Sequence, residues 1–412
     1  MVEVENKIKR YEKYKDSRVE WLGEIPEHWE LRRIKYLFNE INERSDNGDE
    51  DLLSVSQYTG VTNKSYKVEA GGMLTNAMTL EGYKKVKKGD LVSNIMLAWN
   101  GSLGFSPFDG ITSPAYSIYR IYGENHNRYF HYLLRTELYK AEFKRNSSGV
   151  IESRLRLYTD DFFNILSILP PLPEQTKIAQ FLDDKTTKID DAIAIKQQQI
   201  NLLKERKQIL IHKAVTRGLD DSVTLKDSGV EWIGVIPAHW AVKRLKHCLT
   251  INNGSDYKHI QTDEGYPVIG SGGQFAYASD YMYDGEVVFL GRKGTIDKPL
   301  YFKGKFWAVD TMFYANAKNG NIVKFLYYVA TTLPFSYYST ATALPSMTQS
   351  DLNNHPISLP SIEEQHKILD YIETASQKIE TAISLKQQEI DKLKEYKRSL
   401  INSVVTGKLK VC

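Results

Sequence analysis

The chain has 412 residues, of which 42% are hydrophobic, 11% aromatic and 25% charged, enough for two or three domains with separate cores. Its 54 basic and 51 acidic side chains leave a formal charge of +3, which neither requires nor excludes nucleic acid, because phosphate binding depends on clustering. No run approaches a membrane span, the first residues are charged without an apolar signal core, and the cysteines Cys248 and Cys412 stand in unrelated contexts. A membrane span, secretion, a disulfide framework and a cysteine zinc site are thus disfavoured, and a reducing, cytoplasmic setting is expected.

The first pattern along the chain is residues 15–35 (KDSRVEWLGEIPEHWELRRIK), which recurs at 226–246 (KDSGVEWIGVIPAHWAVKRLK) with 13 of 21 positions identical. Trp21, Pro26, His28 and Trp29 survive in the second copy as Trp232, Pro237, His239 and Trp240. Packing at a joint suits these indoles and imidazoles better than catalysis or metal binding, since the nine histidines include no i, i+4 pair. The stretch 36–168 carries short β-type runs broken by glycine, such as 91–105, and a helical pattern at 129–144.

Residues 169–219 open LPPLPEQ and then contain neither Pro nor Gly from Glu174 to Gly218, which predicts about 44 helical residues stopped at Gly218. After 220, a second insert (247–358) has β-type runs at 286–295 and 308–315 and a helical pattern at 322–331. Its IGSGG run (269–273) reads as a turn, lacking the spacing of a phosphate cradle. Residues 359–409 then repeat 169–219, with 23 of 51 positions identical. The segmentation is 1–168, 169–219, 220–358 and 359–412: a compact mixed α/β domain, a long helix, and both again. The fold class expected is α+β, with an internal pseudo-two-fold repeat.

In the first helix a 3-4 spaced seam runs through Leu182, Thr186, Ile189, Ile193, Lys196, Ile200, Leu203, Lys207, Leu210 and Ala214. Ile372, Ser376, Ile379, Ile383, Lys386, Ile390, Leu393, Lys397, Leu400 and Val404 match it in the second. A parallel in-register pair would bury Lys196 against Lys386 and Lys207 against Lys397. An antiparallel pair centred on Gln198 and Gln388 sets Lys207 opposite Ile379, where its methylenes cover the seam and its ammonium reaches water. Antiparallel pairing within one chain is favoured; the rival is a parallel homodimer through the same seam.

The doubled WxGxIPxHW block, the LPP/LPS…EQ lead-ins (Leu169 to Gln175, Leu359 to Gln365) and the Lys-Gln-Gln helices ending near Gly218 and Gly407 resemble the specificity subunit of type I restriction-modification systems. The resemblance spans nearly the whole chain. It implies two target-recognition domains separated by antiparallel helices, each domain reading half of a split double-stranded DNA site. It also implies two methyltransferase subunits and two restriction subunits as partners, which carry out adenine methylation and cleavage with S-adenosylmethionine, ATP and magnesium. This chain would hold no cofactor, and it shows no motif for either chemistry.

On this resemblance, Arg292, Lys293 and Thr295 in the GRKGT turn after EVVFL are candidates for base contact, since Arg and Lys match guanine acceptors; a solvated hairpin turn is the alternative. Asn252, Asn253, Ser255, Tyr257, Lys258, Ser271, Lys298, Thr348 and Gln349 are further candidates in that insert. In the first insert, Lys84, Lys85, Lys87 and Lys88 crowd a span suited to phosphates or to a merely soluble loop. Asn94, Asn100 and Ser102 occupy the strand-turn equivalent to 288–295, and Ser147, Ser148, Arg154 and Arg156 lie just before the helix. The inserts differ, so an asymmetric target with half-site centres about 34–36 Å apart is expected. Gln197, Gln198, Lys204 and Glu205 recur off the seam as Gln387, Gln388, Lys394 and Glu395. They mark either two equivalent docking faces for identical partners or a relic of duplication.

Overall fold

In the computed structural model, which describes residues 9–64, 79–335 and 345–411, the two longest elements are helices at Leu172–Arg217 and Ile362–Val405. Cys412 lies outside the described residues. Pro171 precedes the first helix and Pro173 stands in its first turn, where the missing N–H removes no bond. Gly218 (φ +75°) and Gly407 (φ +76°) follow the two helices in the left-handed conformation that favours glycine. At Gly407 packing adds to the requirement, since a Cβ there would lie 2.4 Å from Pro26 Cδ.

The chain divides into two compact units, residues 1–195 with 389–412 and residues 196–388, so each long helix contributes a portion to both. Every predicted seam position is buried or half-buried, whereas the flanking positions over 197–209 and 387–399 are exposed. In the first unit Lys397 Nζ lies 2.6 Å from Asp190 Oδ2. In the second, Lys207 Nζ lies 2.5 Å from Glu380 Oε1, and Lys386 Nζ donates to Gln199 Oε1 at 2.7 Å. All three pairs fit the antiparallel register centred on Gln198 and Gln388. Lys207, Lys386 and Lys397 lay their stems along the interface and turn their ammonium groups to acceptors at its edge.

In the first unit a four-stranded antiparallel sheet runs in the order Phe38–Ile41, Ser117–Ile121, Leu91–Ser93, Leu103–Phe105. The predicted helical stretch splits into Asn127–Leu133 and Glu137–Arg145, because Thr136 caps the second helix by accepting from Tyr139 N. Phe38, Phe130, Phe143 and Phe162 share one core with Leu182 and Ile189 of the first long helix and with Leu400 and Val404 of the second. The recognition segment and both helix portions are therefore one folding body.

The second unit is dominated by a seven-stranded sheet ordered Leu249–Asn253, Met312–Ala317, Tyr283–Gly291, Leu300–Ala308, Tyr266–Gly270, Gly273–Ala278, Gln261–Thr262. Its one parallel pair joins Tyr266–Gly270 to Leu300–Ala308. One core packs Trp240, Leu290 and Phe325 on Ile211 and Ile372 of the long helices, and another fills the far end of the sheet around Phe289 and Phe306.

Both units fasten to their helices in the same way. Glu30–Arg33 pairs with Leu166–Leu169, and Ala241–Arg244 with Pro356–Leu359, immediately before each helix. Gln175 Oε1 accepts from His126 N at 2.9 Å, and its amide donates to Asn125 and to Pro170 O. Gln365 makes the same three bonds to Ile322 N, Asn321 and Pro360 O. Two turns further on, Asp183 takes bonds from Arg128 and Tyr132, as Glu373 does from Lys324 and Tyr328. His28 and Trp29 close on Glu174, joined by Tyr11. Burial opposes ionisation of Glu174, but these donors outweigh it and hold its carboxyl below the ordinary range. His239 meets Glu364 at 3.1 Å, whereas among the described residues the buried Trp240 Nε1 has no acceptor. The expected joint role is thus met at His28, Trp29 and His239, with Trp240 buried at the equivalent place.

Candidate nucleic-acid interface

The second unit gathers its loops around one turn, residues 308–312. Gly254 N donates to Met312 O at 3.0 Å and Ser255 N to Ala308 O at 2.9 Å. A Cβ at Gly254 would lie 2.0 Å from Val309 O, so only glycine admits this approach. Val309 N donates to Ile269 O, which ties in the hairpin that carries Ser271. Arg292 N and Lys293 N both donate to Thr311 O, while Met347 N and Gly294 N bond back to Arg292 O and Pro345 O. The GRKGT backbone is thereby stitched on both sides, and Arg292, Lys293, Thr295 and Lys298 remain exposed.

Asn253, Ser255 and Lys258 are exposed on the same cluster, and Ser271 and Tyr257 are half-buried in it, with Tyr257 edge-on to Phe275 at 5.4 Å. Sequence reading missed Phe275, an exposed aromatic on this hairpin, and Trp307, whose indole holds Ser255 O at 3.0 Å. Three further candidates already hold partners within the unit. Asn252 bonds Asn316, Thr348 forms a capping box with Asp351, and Gln349 holds Ile251 O. Asp256, Asp297 and Asp310 are exposed on these loops too, so the end offers individual donors rather than a uniform positive field.

The first unit repeats the frame with other side chains. Leu157 N donates to Ile95 O at 2.9 Å as Met347 N does to Arg292 O, so Ile95 and Met96 stand where Arg292 and Lys293 do. Asn94 and Ser102 are buried, and Asn94 accepts from Met96 N and donates to Tyr116; both residues shape the turn and do not face outward. Asn100 is half-buried at the end of the turn.

Lys84 is buried in strand Lys84–Val86, and burial lowers its pKa. Lys85 faces Asp46 and Glu50, and Lys87 faces Glu43, which leaves Lys88 exposed. Three of the four lysines of the cluster are thus buried or have a carboxylate nearby. Ser147 closes a helix end on Phe143 O, Ser148 and Arg156 exchange backbone bonds, and Arg154 is exposed. Gln197, Gln198, Lys204, Glu205, Gln387, Gln388, Lys394 and Glu395 are all exposed on the helices.

A duplicated mount that presents two dissimilar loop ends defines a two-headed recognition protein. The chain belongs to the type I restriction modification DNA specificity domain family, whose profile matches residues 26–205 and 237–395, and it is a specificity subunit of such a system. It is 23% identical over 435 aligned positions to the type I restriction enzyme MjaVIII specificity subunit of Methanocaldococcus jannaschii, covering 94% of each chain. Its fold is similar to a chain of a type I R-M system solved for complex assembly and conformational transition (TM-score 0.71, 15% identity, 92% of this chain and 98% of that one). The HsdS subunit from Thermoanaerobacter tengcongensis is similar as well (TM-score 0.54, 16% identity, 93% and 98%). Specificity subunits of this class are non-catalytic. Among the described residues no helix is long and apolar enough to cross a membrane, and no group of three or more His, Cys, Asp or Glu could hold a metal.

Proposed function

We propose that the second unit reads one half of a split, asymmetric double-stranded DNA site through Arg292 and Lys293, supported by Asn253, Ser255, Tyr257, Lys258, Ser271, Thr295 and Lys298. The first unit reads the other half with Asn100, Ser148, Arg154 and Arg156 at its loop end. Residues 1–168 and 220–358 are the recognition segments; the helices within 169–219 and 359–412 set the unread spacer. Two methyltransferase subunits dock on the equivalent faces marked by Gln197, Gln198, Lys204 and Glu205 and by Gln387, Gln388, Lys394 and Glu395. Two restriction subunits complete the complex, and adenine methylation and cleavage belong to these partners in the cytoplasm.

The observation that carries this reading is the convergence of three loops on residues 308–312, with the Arg292–Lys293 backbone bonded on both sides and both side chains exposed. Base-edge recognition in the major groove needs a fixed backbone with exposed donors, and the one bond the Arg292 guanidinium makes among the described residues, to Asp310 O at 3.4 Å, leaves its other N–H groups for a base. The test uses the full chain with its methyltransferase subunits and a duplex carrying the methylated motif mapped in host DNA. Affinity should fall as salt rises, and Arg292→Ala should lose about 1–3 kcal/mol, roughly 5–150-fold, on the cognate duplex and little on random DNA. Binding indifferent to salt and to sequence would mark an interaction scaffold and sink the proposal.

A further inference from the structure

The turn at 95–97 of the first unit is apolar where its counterpart in the second carries Arg292 and Lys293. Ile95 and Met96 are half-buried and Leu97 is 42% exposed. Beside them, residues 148–156 fold back on themselves, with Ser148 and Arg156 exchanging both backbone N–H···O bonds at 2.9 Å. The tip of this loop carries Val150, 98% exposed, and Ile151, 53% exposed. The neighbouring Glu152 is held by Lys144, so its charge is matched beside the tip, while Arg154 is exposed. Val150 does no work in the core, and a β-branched pair at a loop tip is an unusual use of a surface position; Leu97 lies on the turn whose Ile95 O accepts from Leu157 N at the end of this loop.

An apolar tip next to an arginine matches one feature of a duplex. The thymine C5 methyl is the apolar group that base pairs display on the major-groove edge, and phosphates lie on either side for basic residues. We propose that Val150 and Ile151, with Leu97, read thymine methyl groups in the first unit's half-site, in place of the hydrogen-bond readout assigned to Arg292 and Lys293. This inference rests on the reading that the two loop ends face DNA.

The experiment uses the full chain with its methyltransferase subunits and duplexes of the mapped motif in which each thymine in turn is replaced by deoxyuridine, which deletes only the methyl. The first unit's half is identified as the one where base preference survives Arg292→Ala. At one or more thymines there, deoxyuridine should weaken binding by about fourfold, the worth of one buried methyl-sized group. The pair Val150→Ser and Ile151→Ser, exposed enough to leave folding intact, should impose a similar loss on the thymine duplex and abolish the deoxyuridine effect. Deoxyuridine tolerated at every thymine of that half, with motif-specific and salt-dependent binding retained, overturns this inference and leaves the DNA reading standing. Loss of methyltransferase assembly in the Ser variants would identify the tip as a protein contact and overturn it too. Binding blind to salt and motif would instead overturn the DNA reading itself.

Discussion

Gln365 gives the sharpest test of how a recognition segment is fixed to its helix. Its side chain is fully buried, accepts from Ile322 N at 3.1 Å, and donates to Asn321 Oδ1 at 2.9 Å and to Pro360 O at 3.3 Å. Gln365→Leu keeps the approximate volume and removes all three bonds, leaving one buried donor and two acceptors without this partner. At about 1–3 kcal/mol for each unsatisfied buried group, and less for a carbonyl that can find water, the loss should be about 3–6 kcal/mol. Because the chain has two compact units, a single melting temperature would blur the effect, and amide hydrogen exchange by segment is the better assay. Helix Val323–Ala330 should lose protection while Asn127–Leu133 keeps it, and Gln175→Leu should give the converse. A loss under about 1 kcal/mol, or equal deprotection of both helices by either variant, would refute the reasoning that each glutamine locks its own segment.

Lys207→Met and Lys397→Met should each change stability by under about 1 kcal/mol in denaturant unfolding, towards stabilisation. Each substitution deletes a part-exposed ion pair of little worth and leaves an apolar stem in the seam. Burial holds the His131 pKa near about 3 and the His355 pKa near about 4, with Arg135 and Arg128 adding to the effect at His131. Both lie below the unfolded value, so the neutral form is the stabilised one. Stability should be fully present above about pH 6.5 and fall on acidification by up to about 1.4 kcal/mol per pH unit for each histidine. Unfolding measured between pH 7 and 5 should show this slope, and His131→Gln with His355→Gln should flatten it. Adding seven residues in register to both long helices lengthens each by about 10 Å and should widen the unread spacer by about 3 base pairs with both half-sites unchanged, read by mapping methylated DNA. An unchanged spacer would remove the helices from that role.

The long helices were legible because their signals are local: an unbroken 3-4 spacing, prolines at the start and a glycine after the end. Even their direction could be read, since two seam lysines per helix made the parallel register costly. The roles of Glu174, Gln175, Asp183 and their repeats were not legible, because their partners sit far off in sequence; Gln175 meets His126 N, and Glu174 meets His28, 146 residues away. Lys84, Asn94 and Ser102 looked like surface donors by residue type. Strand pairing decided otherwise, placing Lys84 in a two-stranded ladder with Gly110–Thr112 and folding Asn94 back on Ser102 O. Side-chain chemistry alone cannot tell a donor that reaches out from one that closes a turn.

The two units keep in common what fastens and differ in what reads. The bonds at Gln175 and Gln365 are made largely to backbone groups, so they hold whatever side chains the recognition segment carries. The two loop-end turns share a backbone bond as well, Leu157 N to Ile95 O and Met347 N to Arg292 O, yet one turn presents Ile-Met-Leu and the other Arg-Lys-Gly. Replacing residues at 95–97 or at 292–293 therefore changes exposed or half-exposed chemistry without disturbing the frame beneath, where Val92 and Val288 stay fully buried. A protein built this way can change one half of its target while the other half and the mounting of both stay as they are, and an asymmetric site is the natural consequence.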